Sequence, residues 1–209
     1  MHRVLFIFLV AILLGCSKNN FKDKWTRKQA PATFKARFET SKGNFEIMAN
    51  RNWSPKGVDR LYQLITSNFF TDIALFRVVP DFVVQFGIHN DSTLNKNWKR
   101  YTVPDEKVMA INQPGTIAFA RSGKNTRSTQ LFINLGHNSP RLDTIHYSGV
   151  TGFPVVAKVI KGMEVVKDFY DGYKEAPAKQ QDSIQKLGNM FLQKHYPKLD
   201  YIKKVYIVR

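Results

Sequence analysis

Phe76-Arg77-Val78-Val79-Pro80-Asp81-Phe82-Val83-Val84-Gln85-Phe86-Gly87 reads as two apolar strands turning near Pro80-Asp81, with Arg77 and Gln85 set into them. A second stretch, Gly115-Thr116-Ile117-Ala118-Phe119-Ala120-Arg121 running on to Thr129-Gln130-Leu131-Phe132-Ile133-Asn134, repeats the pattern with Gln130. A buried Arg or Gln costs free energy unless something pairs with it. Polar side chains recurring inside strand-like runs therefore point to a site built on a sheet.

The flanking sequence has the same character. Residues 33–49 alternate around a Ser41-Lys42-Gly43-Asn44 turn, a β-hairpin signature. Asn52-Trp53-Ser54-Pro55 opens a helix expected over residues 55–67, with Val58, Leu61, Tyr62, Leu64 and Ile65 at helical spacing. Residues 89–100 read as polar and irregular. Residues 155–160 read as a strand, 163–170 as a short helix and 182–195 as a helix weakened by Gly188. Residues 201–208 alternate as a final strand. The 16 Phe and 8 Tyr suit a strand-rich core. Many short strands with a few helices predict a mainly β fold, a barrel or sandwich. A chain of 209 residues fits one domain with extensions.

The first residues read as a targeting segment. His2 and Arg3 precede an apolar run over residues 4–14, of secretory length and too short to span a bilayer. Leu13-Leu14-Gly15-Cys16 resembles a bacterial lipobox, and Cys16 is the single cysteine. The expectation is a signal peptide over 1–15, lipidation of Cys16, a polar tether over 16–31 and one domain over 32–209. Ser17 stands where an inner-membrane retention signal would place Asp, which favours a cell-envelope protein on the outer membrane facing the periplasm. The formal net charge is +16, but Lys and Arg are dispersed with no run of five or six. Attraction to anionic headgroups or acidic clients is then simpler than a nucleic-acid partner.

Four markers in order resemble the cyclophilin-type peptidyl-prolyl isomerases: Phe76 to Gly87, "PGTIAFA" at 114–120, "STQLFIN" at 128–134, and Leu142-Asp143 followed by "GFPVVAKVIKGMEVV" at 152–166. The resemblance implies a closed eight-stranded antiparallel barrel with helices capping its ends. Residues 172–199 would be an additional C-terminal helical segment. By position, Arg77 matches the family's catalytic arginine, with Phe82 and Gln85 beside it. Val83, Ala120, Gln130, Phe132 and Leu142 match substrate-binding positions. Arg121 stands where an asparagine is usual, Arg141 where an aromatic is, and Phe153 where a histidine is. The implied rim is altered and the implied centre is intact.

These residue types suit proline isomerisation. The barrier of about 20 kcal/mol is amide resonance, lost as the bond twists. No bond is made or broken, so the resemblance implies neither cofactor nor metal. A useful pocket grips the proline ring, excludes water and donates a hydrogen bond to the imide nitrogen. Arg77 offers several donors in a rigid fork, always charged. Phe82, Phe132, Val83 and Leu142 would form the cup. A second reading keeps the fold without the turnover: a module that holds proline-containing segments. The five histidines show no metal spacing, with His146 alone a candidate to stand in for the family histidine. Asp105-Glu106 reads as a solvated turn.

Overall fold

The computed structural model describes residues 21–208. Period-2 alternation gives β1 (Thr33–Thr40) and β2 (Gly43–Asn50), whose inward residues Phe34, Ala36, Phe38, Phe45, Ile47 and Ala49 are all buried. Then follow α1 (Pro55–Thr66), β3 (Ile73–Ala74), β4 (Arg77–Val79), β5 (Val83–Phe86) and α2 (Ser92–Lys99). Next are β6 (Thr116–Phe119), β7 (Leu131–Asn134), α3 (Arg141–Thr144), β8 (His146–Tyr147) and β9 (Val150–Thr151). The chain finishes with β10 (Val155–Lys161), α4 (Met163–Lys167), α5 (Gln181–His195) and β11 (Tyr201–Val208). Helix α1 buries Val58, Leu61, Leu64 and Ile65 and packs on β2, β10 and β11.

The main sheet has nine antiparallel strands in the order β3-β11-β1-β2-β10-β6-β7-β5-β4, and β8 and β9 form a separate hairpin. Its two end strands, β3 and β4, are separated in sequence only by Leu75 and Phe76. The sheet therefore curls until its edges meet through one interrupted strand. The expected closed eight-stranded barrel holds approximately, with β3 and β4 taken together. At the interruption the ladder is broken, and the Leu75 N–H donates to the Asp200 carbonyl at 2.9 Å.

Two regions differ from the sequence reading. Residues 89–100 are not irregular but contain α2. Asp91 caps it by accepting from the Thr93 N–H at 2.7 Å, and Leu94 and Trp98, four apart, are its buried face. Residues 21–31, expected as tether, pack on the domain. Phe21 lies 5.3 Å from the Trp98 ring, and Gln63 Nε2 donates to the carbonyls of Thr26 and Lys28. Residues 21–31 are thus part of the folded unit. The segment around 172–199 carries the expected helix, α5, interrupted at Gly188. Gly188 kinks α5 at φ 59°, and a Cβ there would come within 2.2 Å of Asn90 Oδ1. That close approach lets the Asn189 N–H donate to Asn90 at 2.7 Å and docks the helix on the loop before α2. The lipobox and Cys16 lie outside the described residues.

Candidate active site

Strands β5 to β7 are buried on both faces, and β4 buries Val78 while Arg77 and Val79 are half-buried. Val78, Val84, Phe86, Ile117, Phe119, Leu131 and Ile133 enter the barrel core. The alternate residues Val83, Ala118 and Phe132 build a second, smaller cluster on the outer face with Leu142. Phe82, Ala120 and Phe153 are half-buried against it. The cup expected from the sequence is therefore one contiguous apolar cluster. Pairing explains why. Val83 lies opposite Asn134, Gln85 opposite Phe132, and Ala118 opposite Phe132, so these side chains share one face.

The polar residues form a chain along the edge of the cup. Arg77 lies opposite Gln85 in the β4–β5 register, and Arg77 Nη1 donates to Gln85 Oε1 at 3.1 Å. Gln85 Nε2 donates to Gln130 Oε1 at 2.9 Å, and Gln130 Nε2 to Gln181 Oε1 at 2.9 Å. Glu175 holds the other edge of the guanidinium, accepting from Nε at 3.0 Å and Nη2 at 2.7 Å. The guanidinium carbon sits 5.2 Å from the centre of the Phe82 ring. Gly87 makes the Gln85–Gln130 approach possible: it has φ 106°, and a Cβ there would lie 2.3 Å from the Thr129 carbonyl.

Beneath the cup is a buried amide network that the sequence reading did not single out. Asn138 Nδ2 donates to the Phe82 carbonyl at 2.9 Å and to Asn134 Oδ1 at 2.7 Å. Asn134 Nδ2 reaches Asn112 Oδ1 at 3.1 Å and Thr116 Oγ1 at 2.9 Å. Asn112 Nδ2 bonds the Phe153 carbonyl at 2.9 Å and Asp143 Oδ1 at 2.7 Å. Three asparagines thus fix the backbone of Phe82 and Phe153 and the short helix that carries Leu142. An Asn closing the apolar run of β7 was the available signal.

The rim is built from the departures. Arg121 Nε and Nη2 donate to the Gly152 carbonyl at 3.2 and 3.1 Å, Nη2 also to Val150 and Nη1 to Tyr147, each at 3.1 Å. Its guanidinium lies 4.5 Å above the Phe153 ring, and burial lowers its pKa from the ordinary value. Arg121 thereby staples the β9 end of the β8–β9 hairpin to the cup, and Phe153 meets Phe132 edge-on at 5.6 Å. Arg141 stacks 5.1 Å from the Phe82 ring, which places cationic planes from Arg77 and Arg141 on one aromatic. Beside the relay a cavity of about 400 Å³ is lined by Gln85, Ala120, Arg121, Gln130 and Gln181, among others. His146 lies on the exposed β8, its ring 3.0 Å from Thr151 Oγ1.

Glu106 is not in a solvated turn. Its carboxylate pairs with the buried Arg127 at 2.9 Å and accepts from Ser54 Oγ and the Lys56 and Gly57 N–H groups. Burial raises its pKa, but the bonds from Ser54, Lys56 and Arg127 outweigh that and hold it below the ordinary carboxylate value. The Glu106 pair supports α1 and lies apart from the cup.

Comparison with known proteins gives concordant matches. The family model of the cyclophilin type peptidyl-prolyl cis-trans isomerases matches residues 35–189. Peptidyl-prolyl cis-trans isomerase A of Dickeya dadantii is 34% identical over 128 residues, 60% of this chain and 65% of that protein. A peptidyl-prolyl cis-trans isomerase of Acinetobacter baylyi is 30% identical over 133 residues, covering 61% of this chain and 67% of that one. Among solved structures, a Cryptosporidium parvum cyclophilin type isomerase superposes with a TM-score of 0.59 at 17% identity, over 85% of this chain and 98% of that chain. The matched span contains every residue of the cup and the relay.

Proposed function

Because this chain belongs to the cyclophilin-type peptidyl-prolyl cis-trans isomerase family, we propose that it accelerates cis–trans isomerisation of X-Pro bonds in unfolded or partly folded polypeptides. The observation that carries this reading is the Arg77 guanidinium held above Phe82 at the edge of an apolar, largely aromatic cup. The proline ring sits on Phe82, Val83, Phe132 and Leu142. Three of the five guanidinium N–H donors are spent on Glu175 and Gln85, leaving two for substrate. As the imide twists, its nitrogen pyramidalises and gains basicity. A donor aimed there is stronger in the transition state than in the planar ground state. A 10⁵-fold acceleration needs about 7 kcal/mol off the barrier. A charge-assisted hydrogen bond, desolvation and orientation together are of that order.

The test is the isomerisation rate of an X-Pro peptide with the wild type and with Arg77→Ala. Removal of one preorganised donor is expected to cost at least about 100-fold in rate. A wild type that binds the peptide without accelerating its isomerisation would instead be a proline-peptide-binding module.

The finer reading is a lipid-anchored envelope protein whose clients are exported chains. It is supported by the apolar run ending at Cys16. Among the described residues no helix is long and apolar enough to cross a membrane. Cys16→Ala should release the protein from the membrane fraction. Retention of the variant at high salt would argue against the anchor.

A further inference from the structure

The relay beside the cup begins and ends on the same segment. Glu175 grips Arg77, and Gln181, at the start of α5, receives the last hydrogen bond from Gln130. Neither residue lies on a strand, and Glu175 is 98 positions from Arg77. The segment has its own core. Ile184, Leu192, Tyr196 and Leu199 pack with Ala74, Phe76 and Ile88, and Tyr173 and Ala178 lean on that cluster. Phe76, the neighbour of Arg77, is buried in it. Gln180 Nε2 adds a bond to Tyr196 Oη at 2.9 Å, and the Tyr173 and Tyr196 rings meet at 5.1 Å. The segment is a packed wall standing against the residue before the catalytic arginine.

From this arrangement we propose that Glu175 is a positioning residue for Arg77, and that the wall carrying it orients the guanidinium for proline isomerisation. This rests on the isomerase reading above. A carboxylate accepts only and a guanidinium donates only. With Glu175 on the Nε–Nη2 edge, Gln85 must turn Oε1 toward Nη1 and pass its amide hydrogens to Gln130, which repeats the step toward Gln181. One acidic side chain thereby fixes the rotamer of Arg77 and the sense of both active-site amides. The Glu175 side chain is 46% exposed and that of Arg77 21%, so solvent screens much of the pair's attraction. The pair is therefore a weak stabiliser of the fold, and the guanidinium keeps most of its strength as a donor. What the bidentate geometry supplies is direction: a long, rotamer-rich side chain is held on two sides with its remaining N–H groups free.

The experiment compares the full-length wild type, Glu175→Gln, Arg77→Ala and the double variant. Exchange NMR on an X-Pro peptide gives both the dissociation constant and the isomerisation rate of bound peptide. Glu175→Gln should lower the bound rate roughly ten-fold through misorientation while the dissociation constant changes little. Adding it to Arg77→Ala should cost nothing more, because its effect passes through Arg77. A Glu175→Gln rate equal to or above wild type would overturn the proposal, as would losses that multiply in the double variant. If the wild type shows no acceleration, the isomerase reading falls. The Arg77 Nε–Hε resonance then still decides the clamp. It should be sharp and exchange-protected in the wild type and lost in Glu175→Gln. An unchanged resonance would refute it.

Discussion

Strands β5 to β7 are covered on both faces, and the two coverings are built on different terms. Inward, Val84, Phe86, Phe119, Leu131 and Ile133 pack without a polar atom among their side chains. Outward, Val83 and Phe132 share their face with Gln85, Asn134 and the half-buried Arg77. Burial alone does not separate a core from a pocket here. The separation lies in what the polar groups are paired with. Inside, nothing polar needs a partner. Outside, each polar side chain is bonded to its neighbour, and the chain of bonds runs through a guanidinium with donors to spare.

Breaking the inner face should have the largest effect, and it should fall on stability. Phe86→Ala removes a fully buried ring and is expected to cost about 3–5 kcal/mol, measured by denaturant unfolding. Phe132→Ala on the outer face opens into a cup that water already reaches, so its stability loss should be smaller while proline-peptide binding weakens sharply. Equal stability losses with unchanged peptide binding would erase the distinction between the faces. The smallest effect lies away from both. Glu106 has a lowered folded-state pKa, so its stabilisation is present above the ordinary carboxylate pKa of 4.5. That stabilisation is lost as pH falls through the folded value. Unfolding free energies followed from neutral to acid pH should drop less steeply in Glu106→Gln than in wild type.

Much of this was readable in the sequence because the strands carry their own evidence. Alternation fixed which residues share a face, and Arg77, Gln85 and Gln130 were conspicuous as polar interruptions. Phe82, Phe132, Val83 and Leu142 converge on one cluster, as the resemblance implied, and Phe153 joins them. Other parts were hidden for physical reasons. Helix α2 shows only Leu94 and Trp98 as an apolar face, too little for periodicity to register. Asp105-Glu106 reads as a polar turn because Arg127, its counter-charge, comes from a distant loop. Glu175 sits in a loop without periodicity, and only the tertiary fold brings it to Arg77. Arg121 lacks a local partner in sequence, and the fold hands it three carbonyls of the 147–152 hairpin.

The most direct test of the outer face as a catalytic surface is one paired measurement on wild type and Arg77→Ala. The X-Pro isomerisation rate is read alongside the thermal unfolding midpoint. The account predicts that the variant loses nearly all acceleration while its midpoint stays within a few degrees, since Arg77 is half-buried and its ion pair is screened. Equal rates in the two proteins would contradict it.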